Sequence, residues 1–224
     1  MLDTVDAAEK ERIRVLLVDD HDLFRTGLRN LLEEQGVEVI GEASEGSDAL
    51  KFVRELQPDV VVMDLNMPGM NGVEATKKIA TLAPLTRVVV LTISDQDGDV
   101  MDAIFAGACG YLLKDSSIQD VVHGIRAAAV GESLISPAIA GKVLERLRAT
   151  STSPEAAETI RTELSDRELD VLKLIANGKD NAQIAGDLHI SPKTVKNHIS
   201  NILMKLQIEN RIQAAVYAVR SGIV

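Results

Sequence analysis

Between residue 14 and about residue 132, short apolar β-branched runs alternate five times with stretches of helical character. The runs are Arg14 to Val18, Val37 to Ala43, Val60 to Met63, Arg87 to Ile93 and Gly110 to Leu113. Val60-Val61-Val62-Met63 is apolar at every position, so neither face of that strand suits water. Strands of this kind belong in a parallel sheet covered by helices on both sides, with right-handed crossovers. Aromatic residues make up only 2% of the chain, so the core must be aliphatic.

The last sixty or so residues carry no strand pattern and four helix-start signals. Ser165 with Glu168 forms a capping box stapled by Leu164 and Leu169, and Asn177-Gly178 ends that helix. Asp180 with Gln183, Ser191 before Pro192, and Asn210 open three more. Such short connections predict a compact all-α bundle. Upstream, Ser136-Pro137 opens a predicted helix over 137 to 149, followed by a small, polar, exposed linker. The expected division is a first domain over 1–135, a linker over 136–161 and a second domain over 162–224.

Net charge is −10, but it is unevenly spread. Residues 1 to 161 hold 16 Lys and Arg against 27 Asp and Glu, whereas residues 162 to 224 hold 8 against 7. The second domain is therefore free to meet a polyanion if its cations cluster. The single Cys109 permits no intrachain disulfide framework and no zinc spacing, and no apolar run reaches the length of a membrane span. No signal peptide is read, and a soluble cytoplasmic protein is expected.

In a parallel αβ sheet, ligands sit beyond the carboxyl ends of the strands. Those ends carry Asp19-Asp20, Asp64, Thr92 and Tyr111 leading to Lys114. Singly, each has an ordinary reading: Asp20 as a helix cap, Asp64 as a turn residue, Thr92 as a strand residue, Lys114 as a solvated charge. Jointly they mean more, because carboxylates about 4 Å apart repel by about 4 kcal/mol at an effective dielectric near 20. A hard divalent cation such as Mg²⁺ fits that demand, and Lys114 adds a further positive charge. Such a site suits phosphoryl transfer, with Asp64 as nucleophile.

The segments V-L-L-V-D-D-H, V-V-M-D-L-N-M-P-G-M-N-G, V-V-V-L-T and G-Y-L-L-K-D together resemble the receiver domain of bacterial response regulators over roughly residues 12 to 132. The resemblance implies a five-stranded flavodoxin-like fold of sheet order 2-1-3-4-5. It implies that Asp64 accepts phosphate from a sensor histidine kinase, and that Asp20, Asp64 and the Asn66 carbonyl bind Mg²⁺, with Asp19 acting through water. Lys114 and Thr92 would contact the phosphoryl oxygens, and Tyr111 would turn inward as Thr92 moves. Many receivers place a cis Pro after the Lys, whereas this chain has Asp115, for which a cis bond costs about 2.5 to 4 kcal/mol.

From Leu164 to Leu206 the chain resembles the LuxR-type helix-turn-helix, which with the receiver points to the NarL/FixJ subfamily. On the third helix of this part, Val195, Ile199, Ile202, Leu203 and Leu206 share one face, and Lys193, Asn197, Ser200 and Met204 lie opposite. Lys196, Asn197 and Ser200 are the candidate base contacts, while Lys193, Thr194, Asn201 and Lys205 are candidate phosphate contacts. His198 reads as structural, and His21, His123 and His189 offer no metal spacing. The subfamily dimerises through its last helix, here with Gln213, Ala214, Tyr217 and Ala218. Intramolecular core explains half of that stripe equally well. A dimer would place two recognition helices on half-sites about 34 Å apart in double-stranded operator DNA.

The expected function is a phosphorylation-activated transcription regulator, a homodimer when phosphorylated. It is not an enzyme beyond its own phosphoryl transfer and slow autodephosphorylation. Two rivals are weighed against it. A Mg²⁺-dependent phosphatase would carry a second carboxylate two residues after the nucleophile, where Asn66 stands. A receiver governed by protein binding alone would not need the complete acidic site.

Overall fold

The computed structural model describes residues 12–94, 96–135, 164–208 and 210–223. The predicted helix over 137 to 149 and the linker after it lie outside these residues. β1 (Arg14–Val18), β2 (Glu38–Ala43), β3 (Val60–Met63), β4 (Arg87–Thr92) and β5 (Gly110–Leu113) alternate with α1 (Asp22–Glu34), α2 (Gly46–Leu56), α3 (Gly72–Leu82) and α4 (Asp97–Phe105). α5 (Ile118–Ala129) follows. The strands are parallel in the order β2-β1-β3-β4-β5, and β6 (Leu134–Ile135) adds a sixth beside β5. Two residues are too few to carry a strand pattern, so β6 had no signal in the sequence.

Successive side chains of a strand point to opposite faces, and both faces here are apolar. Val15, Leu17, Val60, Val62, Val89 and Leu91 pack against α1 and α5 through Leu28, Leu32, Val121, Val122 and Ile125. Leu16, Val18, Val61, Met63 and Val88 face α2 and α3 through Ala49, Val53, Ala75 and Ile79. Each fully buried Val or Leu stabilises the fold by about 1.5–3 kcal/mol before the entropy of ordering is subtracted. This double coverage fixes the sheet and leaves only its carboxyl edge for polar chemistry.

The second part is a bundle of α6 (Asp166–Ala176), α7 (Asn181–Leu188), α8 (Pro192–Leu206) and α9 (Arg211–Arg220). The predicted caps all form: Ser165 and Asp180 make reciprocal capping boxes, and the side chains of Ser191 and Asn210 accept from the amides of Thr194 and Gln213. Gly178 closes α6 at φ +76°, a backbone conformation that suits glycine. Val171, Leu172, Ile175, Ile184, Val195, Ile199 and Ile202 form the core, joined by Ala214 and Ala218. Among the described residues no helix is long and apolar enough to cross a membrane.

Glu168 ties this bundle together. Its Oε2 accepts from the Ser165 amide at 2.8 Å and from Lys205 Nζ at 2.7 Å, joining the start of α6 to the end of α8. Burial pushes the carboxyl up, but the bonds from Lys205 and from the Ser165 amide and hydroxyl outweigh it and hold the pKa down to about 2. A carboxylate depressed in the folded state stabilises the fold above its ordinary pKa near 4.5 and loses that contribution as pH falls toward 2. Glu168→Gln is expected to cost on the order of 2 kcal/mol at neutral pH. It should also flatten the loss of stability of this domain below pH 4.5, as measured by urea unfolding across a pH series.

Candidate functional site

Asp19 and Asp20 leave the end of β1, Asp64 the end of β3, Thr92 closes β4, and Lys114 follows β5. Lys114 Nζ lies 2.7 Å from both Asp19 Oδ2 and Asp64 Oδ2. Both carboxylates are almost wholly buried, at 5% and 2% exposure, so the ammonium neutralises charge that water cannot reach. Burial works to lower the Lys114 pKa, but the bonds to Asp19 and Asp64 prevail and raise it. Its ammonium also stands 4.7 Å from the centroid of the Phe24 ring, a cation–π arrangement.

Asp20 is not a helix cap, since His21 occupies the N-cap of α1. Asp20 Oδ1 is buried without a hydrogen-bond partner, although His21 Nδ1 lies 2.8 Å away. Ligand atoms of Asp19, Asp20, His21 and Asp64 all fall within 4.8 Å of one another. An oxygen-rich cluster with an orphaned buried carboxylate oxygen fits a hard divalent cation. His21 corrects the expectation that no histidine sits at metal spacing. The chain turn at the head of α1 brings its ring back over the aspartates, which linear spacing does not reveal.

Asn66 follows two residues after Asp64, and its amide donates to Asp64 Oδ1 at 3.4 Å. Thr92 is fully buried, and its Oγ1 accepts from the Ser94 amide at 3.3 Å. Tyr111 is also fully buried, with its hydroxyl donating to the Ser94 carbonyl at 2.9 Å. It is therefore already turned inward, whereas the sequence suggested an inward turn only as Thr92 moves. Ile212 and Val216 of α9 belong to the same apolar cluster and cover it. No cis peptide bond occurs among the described residues, so Lys114-Asp115 is trans.

Three residues that shape the site were not singled out in the sequence. Arg25 donates from Nη1 to the Asp19 carbonyl at 2.6 Å and from Nε to Glu42 at 2.9 Å, pinning the Asp19 backbone. Phe24 supplies the ring beneath Lys114. At Gly72 a Cβ would lie 2.0 Å from the Asp64 carbonyl oxygen, so only glycine lets α3 start against the Asp64 backbone. Their available signal was position: Phe24 and Arg25 sit in the first turn of the helix after Asp20, and Gly72 sits at the first position of α3.

In the second domain Lys193, Lys196, Asn197, Ser200 and Asn201 are exposed on α8. Thr194 is half-buried, with its Oγ1 2.8 Å from Ser191 Oγ in the cap. Lys205 is held by Glu168, which gives it a structural task beside the phosphate contact expected of it. On α9, Ala214 and Ala218 are fully buried inside their own domain, with Tyr217 packed against the same core. Gln213 instead faces the first domain, donating from Nε2 to the Ile104 carbonyl at 2.9 Å.

Residues 15–126 match the family described as response regulator receiver domain, and residues 162–218 match bacterial regulatory proteins of the luxR family. The chain belongs to the NarL/LuxR family of response regulators. This regulator is 48% identical to the transcriptional regulatory protein LiaR of Bacillus subtilis over 95% of its own length and 99% of that protein's. It is 39% identical to the response regulator protein VraR of Staphylococcus aureus over the same shares of the two chains. A solved structure of two RcsB dimers bound to two parallel DNAs is similar at 26% identity and a TM-score of 0.54, covering 94% of this regulator and 98% of that chain. A receiver joined to a LuxR-type domain makes this regulator a two-component transcriptional regulator.

Gly72→Ala is expected to destabilise the receiver by at least about 2 kcal/mol, because a methyl group driven into backbone cannot be relieved by a side-chain shift. Urea unfolding of the full chain, followed at its receiver transition, measures it.

Proposed function

We propose that Asp64 accepts a phosphoryl group from a sensor histidine kinase and that this modification switches DNA binding by the LuxR-type domain. The observation that supports this best is the bridge of Lys114 across Asp19 and Asp64 at the open end of the sheet. In the transfer an Asp64 carboxylate oxygen attacks phosphorus, the new O–P bond forms as the P–N bond to the kinase imidazole breaks, and the imidazole leaves with the electron pair. Asp20, Asp64 and the Asn66 carbonyl would hold Mg²⁺ directly and Asp19 through water. Bound there, the ion supplies charge neutralisation for the phosphoryl oxygens. Lys114 moves from a carboxylate to a phosphoryl oxygen, and the Thr92 hydroxyl turns from the Ser94 amide to another. Since Tyr111 already points inward, the response passes through the Ser94 segment that its hydroxyl holds. Slow loss of the phosphoryl group to water resets the site.

The receiver would occupy residues 1–135, the linker 136–161 and the DNA-binding domain 162–224. Lys196, Asn197 and Ser200 read base edges, while Lys193, Thr194 and Asn201 hold phosphates, with Lys205 contributing from its Glu168 pairing. The phosphorylated form is a homodimer on two half-sites of double-stranded DNA, in the manner of the similar RcsB structure, whose dimers are bound to DNA. Gln213, Ala214, Tyr217 and Ala218 mark the helix that would pair, through its small-residue stripe. The work is done in the cytoplasm, where kinase and DNA are both within reach.

The test uses the full chain with a small-molecule phosphodonor and Mg²⁺ at fixed salt. Wild type should gain a phosphate by mass, shift toward dimer and bind DNA at least about tenfold more tightly, a difference of about 1.4 kcal/mol. Asp64→Ala should show none of the three, and an unchanged DNA response in that variant would sink the assignment.

A further inference from the structure

Lys114 neutralises two of the three strand-end carboxylates and leaves the third. It takes Oδ2 of Asp19 and Oδ2 of Asp64, each at 2.7 Å, while among the described residues no Lys or Arg pairs with Asp20. Arg25 is engaged elsewhere, by the Asp19 carbonyl, Glu42 and Asp22. Asp19 and Asp64 keep their Oδ1 atoms clear of Lys114, where each accepts only a backbone amide.

The group that does approach Asp20 is the imidazole of His21. Its Nδ1 lies 2.8 Å from Asp20 Oδ1 and 3.3 Å from Asp19 Oδ1, yet Asp20 Oδ1 is buried with no hydrogen-bond partner. The ring nitrogen is therefore close to that oxygen without donating to it. A nitrogen and an anionic oxygen at this separation, with no proton directed between them, repel unless a cation lies against both. Nor does the ring serve the helix: His21 is the N-cap of α1, but its side chain makes no cap hydrogen bond. One ligand atom from each of Asp19, Asp20, His21 and Asp64 lies within 4.8 Å of the others.

A nitrogen ligand changes which cation such a cluster prefers. Mg²⁺ takes oxygen ligands in an octahedron and keeps several waters, so an imidazole adds nothing to it. Zn²⁺ accepts imidazole and carboxylate together and closes a tetrahedron with four ligands. We propose that Asp19, Asp20, His21 and Asp64 form a closed four-ligand site for Zn²⁺, which excludes Mg²⁺ and leaves no position for a phosphoryl oxygen, so that Zn²⁺ stops phosphorylation of Asp64. The inference rests on the reading of Asp64 as phosphoacceptor, and it deepens that reading by naming an inhibitory cation for the same site.

The test uses the untagged full chain, freed of metal with a chelator and titrated by calorimetry with Zn²⁺ alone and with Mg²⁺ alone. Wild type should bind Zn²⁺ at least about a hundredfold more tightly than Mg²⁺. His21→Ala removes a side chain that is 63% exposed and caps nothing, so the fold survives. It should weaken Zn²⁺ binding about tenfold or more and change Mg²⁺ affinity by less than about twofold. X-ray absorption at the zinc edge of the wild-type complex should show a single imidazole, oxygen for the remaining ligands, and no sulfur from Cys109. With phosphodonor and Mg²⁺ present, the Zn²⁺ concentration that halves the gain of phosphate by mass should rise about tenfold in His21→Ala. Equal Zn²⁺ affinity in the two chains, or sulfur in the spectrum, would overturn the ligand set, and an equal loss of Mg²⁺ affinity would overturn the selectivity. Zn²⁺ bound through His21 with phosphorylation undiminished would overturn the closed site. If wild type gains phosphate with Mg²⁺ while Zn²⁺ binding is indifferent to His21, this inference fails and the phosphorylation reading stands. If Zn²⁺ binds through His21 but Mg²⁺ and phosphodonor add no phosphate, the reverse holds.

Discussion

The carboxyl end of the sheet depends on one ammonium. β1 and β3 are neighbours, so Asp19 and Asp64 are forced close together, and both are too buried for water to screen them. Lys114 comes from β5, which lies beyond β4 from Asp64, so only a long side chain can span the gap. Its ammonium stands over the Phe24 ring, which attracts the cation without competing for the hydrogen bonds. Arg25 then holds the Asp19 backbone from below, and Gly72 lets α3 close on the Asp64 carbonyl. The result is a pair of buried carboxylates whose shared cation is also the group best placed to follow a new negative charge.

A parallel arrangement organises the second domain around a buried carboxylate. Glu168 caps its own helix and simultaneously fixes the last turn of α8 through Lys205. α8 is thereby held at its far end, while its first three turns present Lys193, Lys196, Asn197 and Ser200 outward. Accurate presentation of a few side chains requires this kind of rigid support.

The strands and their order were legible because double-sided burial writes itself as uninterrupted Val, Leu and Ile, and the strand ends then pointed to Asp19, Asp20, Asp64, Thr92 and Lys114 without further information. The helix caps of the second domain were equally legible, since Ser165, Asp180, Ser191 and Asn210 act within three residues of themselves. Contacts across long sequence separations left no such mark. Nothing local reveals that Lys205, a candidate phosphate contact, is also held by Glu168, thirty-seven residues earlier. Gln213 and Asn210 read as cap and dimer residues, yet their amides reach carbonyls more than a hundred residues away. His21 escaped because its proximity to the aspartates arises from a turn and not from a ligand spacing.

The contacts of α9 with α4 form a seam of modest strength. Two buried apolar side chains, Ile212 and Val216, are worth about 1.5–3 kcal/mol each before ordering costs, and two neutral amide bonds add about 1 kcal/mol apiece. Closing two tethered domains consumes part of that sum, so the net holding energy is a few kcal/mol. Inverting a 1:99 equilibrium takes about 5.5 kcal/mol, and charge-assisted contacts to one phosphoryl group supply about 1.5–3 kcal/mol each. α4 joins that seam to the strand-end site. Its leading segment carries Ser94, which accepts from Tyr111, and its trailing carbonyl at Ile104 accepts from Gln213. Only one nine-residue helix therefore separates the Thr92 end of the site from the seat of α9.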